Sequence, residues 1–294
     1  MSTLKLVLAP LALITLGLGL PGCFATGAQE TDPKSVAIYD VANDSFRKGQ
    51  LGEALVKVNE ALDADNANVD AAHLGALIYL AFCAKDPQGS DCRFEAAAKL
   101  AALAVDKNPE FREAKNTLGV ILIHQKKYDE AIAVLKPLAE DILYGSPQVS
   151  WGNLGWAYLQ KGGVDDAIDA LRRSVAAQPS FCVGNFRLGL AYEKKGQAKL
   201  GYEAFGRAVD TERPGCKGIQ EAWEGRGRIA KHLGLVDEAR TAYSQCVELS
   251  KSSAIGARCS GALRSLPHSA PAAPPTAAPA PVTGADAVAA PAKG

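Results

Sequence analysis

Apolar and polar positions divide the chain into three regimes. The first is a short polar start carrying Lys5, then an apolar run, Leu6–Leu20, broken by Pro10, Thr15 and glycines. A run that short and that interrupted makes a poor membrane-spanning helix, so residues 1–22 read as an export signal. The second regime is periodic. Trp151-Gly152-Asn153-Leu154-Gly155-Trp156-Ala157-Tyr158 opens a block that continues with Gly162 at a turn, then Ala167, Leu171 and Ser174, and stops at Pro179. Such blocks start near positions 35, 68, 112, 148, 182 and 220, spaced by 33, 44, 36, 34 and 38 residues. A period of this size marks stacked supersecondary units, here two helices each, none able to bury its apolar face alone. The third regime, 267–294, holds 7 of the 16 prolines and almost no large apolar residue, and is expected to remain disordered.

Small residues recur at fixed places in the blocks. Gly75, Gly119, Gly155, Gly189 and Gly227 mark the first helix, and Ala54, Ala97, Ala131, Ala167, Gly201 and Ala239 the second. Small against small predicts close approach of the two helix axes. Pro109, Pro179 and Pro214 are placed to end second helices, since proline lacks the N–H and clashes with the preceding turn. The stretch Trp151–Tyr158 fits the W-x-x-L-G-x-x-Y opening of a tetratricopeptide repeat, and the later positions follow that repeat's second helix. The resemblance implies an all-α fold: a right-handed superhelical solenoid of six helical hairpins over 35–251. A capping helix in 252–266 would close it, ended by Pro267.

Composition narrows the function. The 294 residues carry 32 Lys+Arg against 32 Asp+Glu, so no bulk positive charge draws the chain to nucleic acid. Aromatics are 6% and methionine occurs once, which leaves Ala, Leu and Val to build a core and favours closely packed helices over a sandwich. Leu20-Pro21-Gly22-Cys23 resembles the bacterial lipobox, with Pro21 departing from the usual small residue. The resemblance implies acyl chains on Cys23, a lipid-attached tether over 23–34 and, with Phe24 rather than Asp next, an address on the periplasmic face of the outer membrane. An ordinary secreted protein cut near Ala25 is the alternative. Gly17-Leu18-Gly19-Leu20-Pro21-Gly22 has the spacing of a dinucleotide loop, but it lies in the leader, after no strand and before no helix.

Six further cysteines, Cys83, Cys92, Cys182, Cys216, Cys246 and Cys259, allow 15 disulfide connectivities. The repeat register favours neighbours. Cys83 and Cys92 flank the insertion in the second block, Cys182 and Cys216 bracket the fifth, and Cys246 and Cys259 face each other across the last helix and the cap. Free buried thiols are the other reading. There is no C-x-x-C, and His73, His124, His232 and His268 lack ligand spacing, so no metal site is expected.

No nucleophile elbow, H-E-x-x-H helix or phosphate loop occurs outside the leader, so neither catalysis, a cofactor nor a small-molecule substrate is expected. The chemistry should lie in a groove. First-helix slots on its concave side carry Tyr39 and Phe46, Tyr79, Val120 and Ile123, Trp156 and Leu159, and Phe186 and Leu190. The last block changes to Glu221, Glu224, Arg228 and Lys231, predicting an apolar groove charged at one end. An exposed apolar strip of this kind marks a site for an amphipathic helix or extended segment. Tyr39, Ala72, Asn116, Gly152 and Phe186 fill the places of the Lys/Asn clamp used by chaperone-binding tetratricopeptide domains, so that function is not expected.

A lipobox followed by six such repeats resembles the pilotin lipoproteins of type IV pilus systems, the Tgl and PilF/PilW kind. The run Tyr144-Gly145-Ser146-Pro147-Gln148-Val149-Ser150-Trp151 is similar to the proline-containing start of that family's middle repeat. The resemblance implies a protein partner, an outer-membrane secretin, taken into the groove during delivery. The six cysteines and the Pro/Ala-rich tail depart from that pattern. The alternative is a structural tether in an envelope complex such as gliding-motility or cell-wall machinery.

Overall fold

The structure, a computed structural model, describes residues 31–267 except 211 and 214. The leader, Cys23, Pro214 and the tail beyond Pro267 lie outside the described residues. Among the described residues there are α-helices and one short 3-10 turn, and no strand. The helices pair as α1 (Pro33–Arg47) with α2 (Leu51–Ala64), α3 (Val69–Lys85) with α4 (Phe94–Lys107), and α5 (Arg112–His124) with α6 (Tyr128–Glu140). Then follow α7 (Pro147–Lys161) with α8 (Val164–Ala177), α9 (Cys182–Lys194) with α10 (Ala198–Val209), and α11 (Gln220–His232) with α12 (Val236–Leu249). A last helix, α13 (Ala254–Arg264), packs on α12 and caps the stack, and the 3-10 turn Cys216–Gly218 precedes α11. None of these helices is long and apolar enough to cross a membrane.

Local chemistry sets the helix ends. Asp32 accepts from the Lys34 N–H at 2.7 Å, Asn68 from Ala71 at 2.9 Å and Ser253 from Gly256 at 2.9 Å, each satisfying a donor that the first turn leaves free. Pro33 and Pro147 stand at first helical positions, where the missing N–H does no harm. Pro109 and Pro179 lie two residues beyond the ends of α4 and α8. The turns inside most hairpins need a left-handed residue: Gly162 has φ +101° there, and Lys126 takes the same role at +61° despite its side chain.

The first-helix glycines do a second job beside the close approach their pattern suggests, which is seen where a Cβ on Gly155 would lie 3.2 Å from the Ala167 carbonyl and one on Gly201 3.4 Å from the Gly189 carbonyl. A Cβ on Gly75 would lie 2.7 Å from Leu100, on Gly189 2.7 Å from Phe205 and on Gly227 2.8 Å from Tyr243. Each glycine therefore makes room for a large second-helix side chain rather than for a small one alone. Gly201, on a second helix, opens toward Ile229 of the next hairpin, at 2.8 Å from its would-be Cβ. Small residues thus let bulky side chains interdigitate within and between hairpins, and the core runs as successive clusters along the stack.

Disulfides join Cys83 to Cys92, Cys182 to Cys216 and Cys246 to Cys259. The first closes the loop between α3 and α4. The second holds the start of α9 to the connection before α11, and the third fixes the cap to α12.

Candidate binding cleft

The 34-residue rhythm places equivalent side chains of successive first helices side by side, and this decides which groove positions remain open. Tyr39 and Phe46 are half-buried against the cluster around Ala42, Val58 and Ile78, and Tyr79 packs beside Ala97 and Ile121. Leu190 leans on two core clusters. Leu159 is 5% exposed and belongs to the core with Leu171 and Leu188, so it offers nothing to a partner. As the sequence reading allows for about half of these positions, packing against neighbouring helices takes part of the apolar strip, which is therefore interrupted.

Four of those positions do converge. Val120 and Ile123 from α5, Trp156 from α7 and Phe186 from α9 line one cleft of about 300 Å³. Ile123 is itself 7% exposed and forms floor rather than wall. Val183 and Ile219, which the slot reading omitted, complete the apolar lining, Ile219 immediately after the 3-10 turn tethered by Cys216. The Cys182–Cys216 disulfide thus ties together the two segments that supply Val183 and Ile219.

The polar side of the cleft was also invisible to the slot reading. Asn153 donates through Nδ2 to Asn116 Oδ1 at 2.9 Å, and its own Oδ1 accepts from Arg187 Nη1 at 2.8 Å. Arg187 Nη1 also donates to the Gly152 carbonyl at 3.0 Å, and the guanidinium lies 5.4 Å from the centroid of the Trp156 ring. Burial pushes the Arg187 pKa down to about 10, which still leaves it charged at neutral pH. His124 stacks on Phe94 with centroids 5.0 Å apart; burial, then the Arg187 charge, holds its pKa below the ordinary imidazole value. Glu221 stands on the cleft rim.

At the charged end of the groove, Arg228 and Glu224 are paired within the chain. Arg228 grips both carboxylate oxygens of Glu193 at 2.6 and 2.7 Å, and Arg258 does the same to Glu224 at 2.6 and 2.8 Å. Lys231 donates to Ser265 at 3.1 Å. Of the four residues expected to present charge, Glu221 alone reaches the cleft. Among the described residues no group of three or more His, Cys, Asp or Glu side chains could hold a metal.

Comparison with known proteins agrees with this architecture. Profiles described as tetratricopeptide repeat match residues 93–141, 149–181 and 220–253. The type IV pilus assembly protein PilF of Pseudomonas aeruginosa is 29% identical over 155 residues, 49% of this chain and 57% of that protein, so the match spans little more than half of the relative. The crystal structure of PilW, described as a widely conserved type IV pilus biogenesis factor, superposes with a TM-score of 0.65 at 22% identity, covering 77% of this chain and 98% of that one. The structure of Pseudomonas aeruginosa PilF gives 0.61 at 18% identity, over 77% and 96% of the two chains. The chain thus carries tetratricopeptide repeats at those residues and is similar to PilF and PilW.

Proposed function

We propose that this protein is a lipid-anchored, non-catalytic assembly factor of a type IV pilus, held by acyl chains on Cys23 at the periplasmic face of the outer membrane. Its partner is a segment of a secretin subunit, whose apolar surface it shields before multimerisation. The observation that carries the reading is the cleft in which Val120, Trp156 and Phe186, from three successive hairpins, meet around about 300 Å³. Likeness to PilF and PilW supports the pilus context. Partly exposed aromatic side chains in a concave site are the usual anchors of a protein contact.

The test is mild crosslinking in the native envelope, affinity recovery and mass spectrometry. Wild-type protein is expected to recover an outer-membrane secretin. The Trp156→Ala/Phe186→Ala variant should lose it while far-UV circular dichroism stays unchanged. Recovery of cell-wall or motility components without a secretin would replace this reading with that of a structural tether.

A further inference from the structure

The cleft contains one arginine with no carboxylate partner among the described residues. Arg187 spends Nη1 on the Gly152 carbonyl and on Asn153 Oδ1. Its Nε–H and the two Nη2–H donors have no partner among the described residues. Those donors form the edge of a guanidinium that fits a carboxylate side-on with two parallel hydrogen bonds. The molecule shows the same edge in use twice, where Arg228 and Arg258 hold Glu193 and Glu224 through Nε and Nη2. In both cases the glutamate lies one repeat earlier, 35 and 34 residues back. Counting back the same distances from Arg187 reaches Gly152 and Asn153, neither of which carries a negative charge.

We propose that Arg187 is the recognition point for an acidic side chain, Asp or Glu, flanked by apolar residues in a segment of the protein partner. Asn153 and the Trp156 ring fix the guanidinium over α7. Val120 on α5, Phe186 on α9 and Ile219 just before α11 line the same cleft, so the helices packed on both sides of α7 bring apolar side chains to the site of the charge. That arrangement suits an acid inside a passing segment better than a chain terminus. Glu221, on the same rim, forms no ion pair with Arg187 and would repel a second acid placed near it. The inference rests on the groove reading above and adds the chemistry of the bound segment.

Display of random dodecapeptides to the purified full chain tests it. Selected sequences should carry Asp or Glu between apolar residues, and selection on Arg187→Met should keep the apolar residues and lose the acid. A synthetic copy of the best peptide, acetylated and amidated, should bind at least ~10-fold more tightly than its Asn or Gln twin by fluorescence anisotropy, as loss of a charge-assisted pair implies. The wild-type comparison decides the matter even if Arg187→Met folds poorly. Equal binding of the twins, or an acid preference that survives in Arg187→Met, overturns the inference and leaves the groove reading standing. If no sequence is enriched, the groove reading itself fails. A neutral twin with a free C-terminal carboxylate that binds as well as the acidic peptide would assign Arg187 to chain ends instead. A 268–294 peptide that displaces the selected ones would give the cleft to the chain's own tail.

Discussion

Phe205 is the side chain whose fit is most sharply set by glycine. It is fully buried and lies between Gly189 of α9 and Gly225 of α11. A Cβ on Gly189 would stand 2.7, 2.8 and 2.9 Å from Cδ1, Cε1 and Cγ of the ring, and one on Gly225 2.6, 2.7 and 2.9 Å from Cζ, Cε1 and Cε2. Because both faces of the ring are occupied, Phe205 cannot yield to Gly189→Ala by shifting toward α11. Overpacking at such a site costs about 3 kcal/mol, the upper end of its usual range, and the helix gain of Ala over Gly returns about 1 kcal/mol. Gly189→Ala should thus destabilise by about 2 kcal/mol, lowering the melting temperature by about 4–8 °C. Phe205→Leu alone should cost about 1.5 kcal/mol through the cavity it leaves. In the double variant the new methyl group enters that cavity, and the expected net cost is only about 0.5 kcal/mol. The cycle then shows a coupling of about −3 kcal/mol, read from urea or thermal unfolding by circular dichroism. Additivity within about 0.5 kcal/mol would refute the claim that the glycine exists to seat this ring.

Other outcomes follow from the same geometry. Gly52 lies on α2 with nothing within 4 Å of a would-be Cβ, so Gly52→Ala should raise stability by about 0.5–1 kcal/mol in the same unfolding assay. Lys126 holds φ +61° at a hairpin turn, and Lys126→Gly should stabilise by about 1 kcal/mol; a loss of stability would show that its side chain matters more than the backbone. Burial holds His73 and His124 below the ordinary value of 6.5, so the unfolded chain takes up protons that the folded chain refuses. The associated stability is present above 6.5 and lost as pH falls below it, and His73→Gln/His124→Gln should flatten the stability profile between pH 7 and 5. Removing Cys182–Cys216, whose ends are 34 residues apart, should cost about 4 kcal/mol on the loop-entropy argument and weaken peptide binding in the cleft. Removing Cys83–Cys92, 9 apart, should cost about 3 kcal/mol and leave cleft binding unchanged.

Much of the fold was legible because a repeat writes each structural requirement several times. The motif at Trp151–Tyr158, the glycines sixteen residues before Leu171, Phe205 and Tyr243, and the prolines after α4 and α8 all repeat the same instruction. What the glycines accommodate was not legible. A glycine opposite an alanine announces backbone approach, as at Gly155 and Ala167, but not that the nearest atoms belong to a bulky residue one turn further along the second helix, such as Leu171. The slot reading likewise assigned Leu159 to the groove because its helical face is right. Burial by the next hairpin, which a single-helix argument omits, takes it into the core beside Leu188.

The cleft was half legible for a related reason. Trp156 and Phe186 announce themselves by size, but the role of Arg187 depends on what stands one repeat earlier. In a solenoid the nearest neighbour of a first-helix side chain lies 34 or 35 positions back, so charge balance has to be counted at that offset. Counted so, Arg228 and Arg258 are balanced by the chain's own glutamates. Arg187 meets Gly152 and Asn153 instead, which bind its Nη1 without cancelling its charge. The desolvated charge therefore coincides with the place where apolar side chains from three hairpins converge and where a disulfide steadies one wall. The free Nε and Nη2 donors of Arg187 are open to a bound carboxylate, which would complete the pairing that Arg228 and Arg258 find within the chain.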